Sequence, residues 1–213
     1  MHHYFTNNDD LKSAVRPVEY VINDHQFTLI SDRGVFSKNT LDTGSAELIK
    51  VLLKEDLEGS LLDLGSGIGI IGLTLAKLQS NLQVTLLEIN RRALDLSKKN
   101  AKMLGLNNVN IRFSDSYQAL DKDEKFMVIV TNPPIRAGKK NVYEFLGGSR
   151  AHLLDNGRLY FVMRKSHGAL SAARYVEETF GNCQLIKRHQ GYYVYRAINV
   201  PSSTILKSEA IYE

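Results

Sequence analysis

Apolar and polar positions along the chain follow two periods in turn, and the switches between them predict an ordered series of elements. Residues 1–16 are polar and carry neither period. Two β-rich runs, Glu19–Ile22 and Gln26–Ile30, flank Asn23-Asp24-His25, which reads as a hairpin. Asp32-Arg33-Gly34 reads as a turn, and Val35–Lys38 as a short extended piece. Leu48, Ile49, Leu52 and Leu53 then share one helical face, with Thr43 or Ser45 as the N-cap.

From residue 58 strands alternate with helices. Strand 61–64 precedes helix 70–78, and strand 82–88 precedes helix 91–104, which stops at Gly105. Strand 108–113 closes on Ser114-Asp115-Ser116, and strand 126–131 is followed by a helix over about 142–154. Strand 158–163, a helix from Gly168 to Phe180, and a strand pair over Cys183–His189 and Gly191–Arg196 complete the pattern. Such alternation demands a parallel sheet with right-handed crossovers, to which the closing hairpin adds one antiparallel strand. The fold class is α/β, doubly wound. Residues 1–57 are expected to pack as a hairpin and helix on a core of 58–200, with 201–213 as a tail.

At 213 residues and 43% hydrophobic content, the chain can bury one large core. No apolar run approaches the length of a membrane span, and the first residues lack a charged region followed by an apolar one. One cysteine, Cys183, allows no internal disulfide and no zinc cluster. The expectation is a soluble cytoplasmic protein without a metal. A net charge of +4 is compatible with a nucleic-acid partner without requiring one.

The chemistry concentrates in the stretch Leu61-Leu62-Asp63-Leu64-Gly65-Ser66-Gly67-Ile68-Gly69-Ile70-Ile71-Gly72. An apolar strand reaches an acid, passes through alternating glycines and enters a helix, as in turns where backbone approaches a bound ligand closely. Gly67-x-Gly69-x-x-Gly72 matches a dinucleotide fingerprint, but glycines also serve tight strand–helix packing. About twenty residues on, strand 82–88 ends in Glu88, where this kind of fold places an acid for ribose hydroxyls. A third strand runs straight into Asn132-Pro133-Pro134-Ile135, which a dehydrogenase would not explain.

With those three features the chain resembles the class I S-adenosylmethionine-dependent methyltransferases. Asp63 to Gly69 resembles their first motif, and Asn132-Pro133-Pro134-Ile135 the fourth motif of those that methylate an amino or amide nitrogen. Gly34-Val35-Phe36-Ser37 with Asp42-x-Gly44-Ser45 is similar to the approach to the core in small-subunit ribosomal RNA guanine-N2 methyltransferases of the "C" type. The resemblance implies a Rossmann-like sheet of seven strands, mostly parallel with one antiparallel. It also implies that Gly65, Gly67 and Gly69 pass under the methionine part of S-adenosylmethionine and that Asp63 braces the loop. Glu88 would hold the ribose hydroxyls, and Asp115 the adenine amino group.

Catalysis is expected at Asn132, Pro133, Pro134 and Ile135. The exocyclic amine of a purine shares its lone pair with the ring, so its attack requires that pair to localise. The Asn132 oxygen and the Pro133 carbonyl can accept the two N–H bonds in a tetrahedral arrangement, and proline fixes the turn that presents them. The expected substrate is guanine N2 of 16S ribosomal RNA, with ribosomal RNA or the small subunit as partner. Ile135 cannot stack on a base as an aromatic residue would, which argues against adenine-N6 and protein-glutamine methylation and leaves the stacking residue to Phe36, Tyr143 or another. Lys38, Arg136, Lys139, Lys140, Arg164 and Lys165 are candidate phosphate contacts. A non-catalytic RNA-binding assembly factor with the same fold is the reading of a different class.

Overall fold

A computed structural model describes residues 12–35, 40–55 and 57–201. Strands β1 (Arg16–Ile22) and β2 (His25–Ser31) pair antiparallel, from Arg16 opposite Ser31 to Ile22 opposite His25. The turn between them needs two residues at positive φ, which Asn23 (46°) and Asp24 (65°) supply. Val18, Tyr20 and Ile22 alternate with exposed positions, so the hairpin has one buried face.

Helix α1 (Thr43–Leu52) buries Leu48, Ile49 and Leu52, each contributing about 1.5–3 kcal/mol. Its N-cap is Asp42, which corrects the expectation of Thr43 or Ser45. Asp42 has extended backbone angles, and its Oδ1 accepts a hydrogen bond from the Ser45 N–H at 3.0 Å. Thr43 and Ser45 are already inside the first turn.

The remaining elements are β3 (Gly59–Leu64), α2 (Ile70–Leu78), β4 (Leu82–Glu88), α3 (Arg91–Met103), β5 (Val109–Phe113), β6 (Phe126–Thr131), α4 (Lys139–Gly148), β7 (Leu153–Arg164), α5 (Ala169–Phe180), β8 (Gln184–His189) and β9 (Tyr192–Ile198). Strands β3 to β9 form one sheet in the order β5-β4-β3-β6-β7-β9-β8. Strand β9 runs antiparallel to both its neighbours, and the other pairs among β3 to β7 are parallel. This is the seven-stranded, doubly wound arrangement expected from the resemblance.

Successive strand residues enter opposite cores, which is why these strands read as continuous apolar runs. Leu61, Val128 and Val162 face a core shared with the hairpin, α1, α2 and α3; Leu62, Ile129 and Phe161 face one shared with α4 and α5. The hairpin is fastened to the first of these layers by polar contacts. The Asn100 amide of α3 accepts from Ile30 N–H at 2.7 Å and donates to the carbonyls of Ile30 and Ile68, at 3.1 and 3.0 Å.

One stretch departs from the sequence reading. Helix α4 begins and ends earlier than 142–154, a 3₁₀ turn covers Ser149–His152, and β7 begins at Leu153, not at 158. Gly147 and Gly148 weaken helix propensity there. A Cβ at either would lie 2.4 and 2.8 Å from atoms of Tyr175 and Tyr117, so the glycines answer to ring packing.

The order of strands reverses between β3 and β6. An open α/β sheet has its crevice at such a switch, outside the carboxyl ends of the strands. Here those ends are Gly65 and Asn132. No helix of the described residues is long and apolar enough to cross a membrane.

Candidate active site

A cleft of about 690 Å³ opens at the switch point. Gly65 and Gly67 line it after β3, Glu88 after β4, and Asn132 to Arg136 after β6. Gly34, Val35, Asp42 and Ser45 reach it from the amino-terminal side. Phe36, Ser37 and Lys38, which the sequence reading placed nearby, lie outside the described residues, as do 202–213 of the proposed tail.

The glycine loop is tied down from below. The N–H groups of Gly65 and Ser66 both donate to the Leu87 carbonyl, at 2.9 and 3.0 Å. Glu88 then holds the loop to the next strand end: its Oε2 accepts from Gly67 N–H and its Oε1 from Asn90 N–H, both at 2.7 Å. Burial pushes the Glu88 carboxyl above the usual carboxylate range, against the pull of the Asn90, Gly67 and Ile89 N–H groups. The adjoining helix is capped by Asn90, whose Oδ1 accepts from Ala93 N–H at 3.0 Å. Glu88 is thus not the cap of α3.

Asp63 and Gly69 do not line the cleft. Asp63 is 1% exposed and its Oδ2 accepts from Gly72 N–H at 2.8 Å, so it braces the first turn of α2 and not the glycine loop itself. Burial, with the nearby charge of Glu88, pushes its carboxyl up to about 7. Gly69 is the left-handed N-cap of α2 (φ 89°). A Cβ there would lie 2.7 Å from Leu73 Cδ1. Asp115 is exposed and off the cleft, past the end of β5.

Two observations bear on what the glycine loop can accept. Gly67 has φ 58°, yet a Cβ built on it meets no protein atom within 4 Å. The space it leaves is on the cleft. The Ser66 Oγ beside it is buried and has no partner among the described residues.

Asn132 follows β6 directly, and its side-chain Nδ2 donates to Ser45 Oγ at 3.1 Å and to Asp42 Oδ1 at 3.3 Å. Its amide nitrogen thus faces the start of α1. Its Oδ1 has no hydrogen-bond partner among the described residues. Pro133, Pro134 and Ile135 continue along the wall of the cleft.

Aromatic and basic groups complete the lining. Tyr143, a sequence candidate for stacking, instead stacks on Tyr175 with ring centroids 4.2 Å apart and does not reach the cleft. Phe145 and Tyr192 do reach it, and so does His167. None of the three carries a local motif. Tyr192 arrives because β7–β9 pairing sets it opposite Arg164, whose guanidinium lies 5.7 Å over its ring. Of the basic candidates, Arg136 and Arg164 line the cleft, whereas Lys139, Lys140 and Lys165 do not.

Comparison with known proteins adds a lineage to this geometry. The family described as methyltransferase small domain matches residues 26–196. A Bacillus subtilis protein called uncharacterized protein YbxB is 38% identical, over 93% of this chain and 98% of that one. The ribosomal RNA small subunit methyltransferase C of Aeromonas hydrophila is 40% identical over 65% of this chain and 40% of its own length. Among solved structures, a T. thermophilus 16S rRNA N2 methyltransferase in complex with AdoMet and guanosine superposes with a TM-score of 0.79. It is 28% identical, covering 88% of this chain and 51% of that chain. The chain therefore spans about half the length, or less, of these ribosomal relatives.

Proposed function

The chain belongs to the methyltransferase small domain family, and from that premise we propose that it transfers a methyl group from S-adenosylmethionine to the N2 amine of a guanine in small-subunit ribosomal RNA. The observation that carries the reading is the Asn132 amide. Its Nδ2 donates to Asp42 and Ser45, which leaves Oδ1 as the free acceptor of a residue that lines the cleft beside the glycine loop.

The residues present fit the methyl donor. Gly67 leaves open space at the loop, and Ser66 Oγ is a buried hydroxyl in want of a polar partner. The Glu88 carboxylate accepts the backbone N–H groups of Gly67, Asn90 and Ile89, and since a carboxylate has about four acceptor positions it keeps acceptor capacity for a ribose hydroxyl. When bound, S-adenosylmethionine supplies an electrophilic methyl on a sulfonium.

The protein then has to improve a poor nucleophile. Asn132 Oδ1 and the Pro133 carbonyl accept the two N–H bonds of the exocyclic amine and draw its lone pair out of the purine ring. No strong base is required, because the nitrogen becomes acidic only as its new bond forms. What the site contributes is orientation and fixed dipoles in a partly dry cleft. Phe145 and Tyr192 offer ring faces to the base, and Arg136 and Arg164 positive charge to the RNA backbone. A base within folded RNA has to be unstacked to enter.

Support for the ribosomal substrate comes from the relatives' names and from these groups. Mass spectrometry of nucleosides from small-subunit RNA of a deletion strain tests it. Loss of N2-methylguanosine, restored by the wild-type gene and not by Asn132→Ala, is the expected result. An unchanged nucleoside profile would overturn the substrate assignment. Calorimetry with S-adenosylmethionine separates an enzyme from an assembly factor of the same fold, which would not bind it.

A further inference from the structure

An asparagine amide is nearly symmetric in shape, and a half-turn about its last torsion exchanges oxygen and nitrogen at little steric cost. For methylation of an amine the two orientations are not equivalent. One presents an acceptor to the substrate N–H, the other a donor. Something in the fold has to choose.

Resting on the methyl-transfer reading above, we propose that Asp42 is the positioning residue for catalysis, holding the Asn132 amide with its oxygen toward the target amine. A carboxylate only accepts, so Asp42 Oδ1, 3.3 Å from Asn132 Nδ2, admits the amide's NH2 and repels its oxygen. Ser45 Oγ, at 3.1 Å, cannot decide, because a hydroxyl donates or accepts. Ser45 fixes the place; Asp42 fixes the sense.

The carboxylate is itself held by the helix it caps. Asp42 Oδ1 accepts from Ser45 N–H at 3.0 Å, so the first turn of α1 sets its position before any ligand enters. A cap alone would not call for this residue, since serine and asparagine cap as well without a charge. Asp42 also leaves its Oδ2 buried with no partner among the described residues, a cost that capping does not explain.

Two substitutions separate the roles. Asp42→Ser keeps a cap for α1 and removes the carboxylate facing Asn132. Asp42→Asn keeps both the cap and an acceptor at that place. Single-turnover methyl transfer to small subunits purified from a deletion strain is expected to fall on the order of ten-fold in Asp42→Ser, with S-adenosylmethionine affinity and melting temperature nearly unchanged. Asp42→Asn is expected to recover most of that rate. In an Asn132→Ala background, Asp42→Ser should cost nothing further, because the group it orients is gone. Losses that multiply in the double variant would place Asp42 in another role and overturn the proposal.

A second measurement needs no substrate. Nitrogen-edited NMR of the Asn132 side chain should show two protected amide protons in the wild type, and faster exchange with shifted resonances in Asp42→Ser. Identical spectra and exchange would overturn the proposal. If Asn132→Ala itself transfers methyl at the wild-type rate, the functional reading of the site fails instead, and the NMR result still decides whether Asp42 sets the amide.

Discussion

Replacing Glu88 by alanine should damage the protein twice, once before any ligand is present. Its carboxylate receives the N–H groups of Gly67 and Asn90, both at 2.7 Å. Asn90 is fully buried, so its N–H would lose this carboxylate partner away from water, at a cost of about 1–3 kcal/mol. Part of this is offset. Burial already raises the Glu88 carboxyl above its ordinary range, and its charge disfavours ionisation of Asp63. Removing it relieves both. A net loss of about 1–2 kcal/mol lowers the melting temperature of a chain this size by about 2–8 °C. Losing an acceptor for a ribose hydroxyl should also weaken S-adenosylmethionine about ten- to hundred-fold. Glu88→Gln has one acceptor for two N–H groups and turns its own NH2 on the other, so it should resemble alanine. Thermal melting without ligand and calorimetry with it read the two effects apart. A variant that melts with the wild type would refute the bracing role, and unchanged affinity would refute the ribose contact.

Asn132→Ala should leave melting and S-adenosylmethionine affinity nearly intact while single-turnover transfer falls on the order of 100- to 1000-fold; a near wild-type rate would sink the mechanism. The Asp63 carboxyl, at about 7 against an ordinary 3.8, keeps a proton in the fold that the unfolded chain releases. Stability should therefore fall as pH rises from about 4 to about 7 and level off above, by at most about 4 kcal/mol. Urea unfolding across that range should show the slope, and Asp63→Asn should flatten it; a wild-type profile no steeper than the variant's counts against a buried, shifted acid. If Arg136 and Arg164 contact phosphates, the double alanine variant should bind RNA more weakly with a shallower log–log salt dependence, by slightly under one unit per contact on duplex and less on single strands. Equal slopes would confine both to packing.

How much of this was legible depends on whether a feature is local. Strands β3, β4 and β6 could be read to within a residue or two because each is apolar on both faces and is stopped by glycine, glutamate or Asn-Pro-Pro. The boundary of α4 and β7 could not. Gly147 and Gly148 are there for Tyr175 and Tyr117, distant residues that no window around the glycines contains. The site divides in the same way. Gly65, Gly67, Glu88 and Asn132 lie at strand ends and declare themselves in sequence. Asp42 looked like part of a helix start, and only the fold brings its carboxylate to Asn132, ninety residues on. Asp115 follows β5, the edge strand of the sheet, and its side chain is exposed beside the cleft's lining and not part of it.

The aromatic walls of the cleft show what the remaining glycines do. A Cβ on Gly65 would lie 3.0 Å from the Phe145 ring, and one on Gly44 2.9 Å from the Tyr192 ring. Both rings rest on bare backbone, one beside the glycine loop and one beside the residues that bind Asn132. Gly44 is an ordinary first-turn position of α1, where glycine costs about 1 kcal/mol against alanine. Room for Tyr192 accounts for it. Among the described residues Phe145 and Tyr192 line the cleft, neither at the fourth position of the Asn-Pro-Pro motif, where Ile135 has no ring to offer. These two rings come from α4 and β9, carried in by helix packing and by strand register.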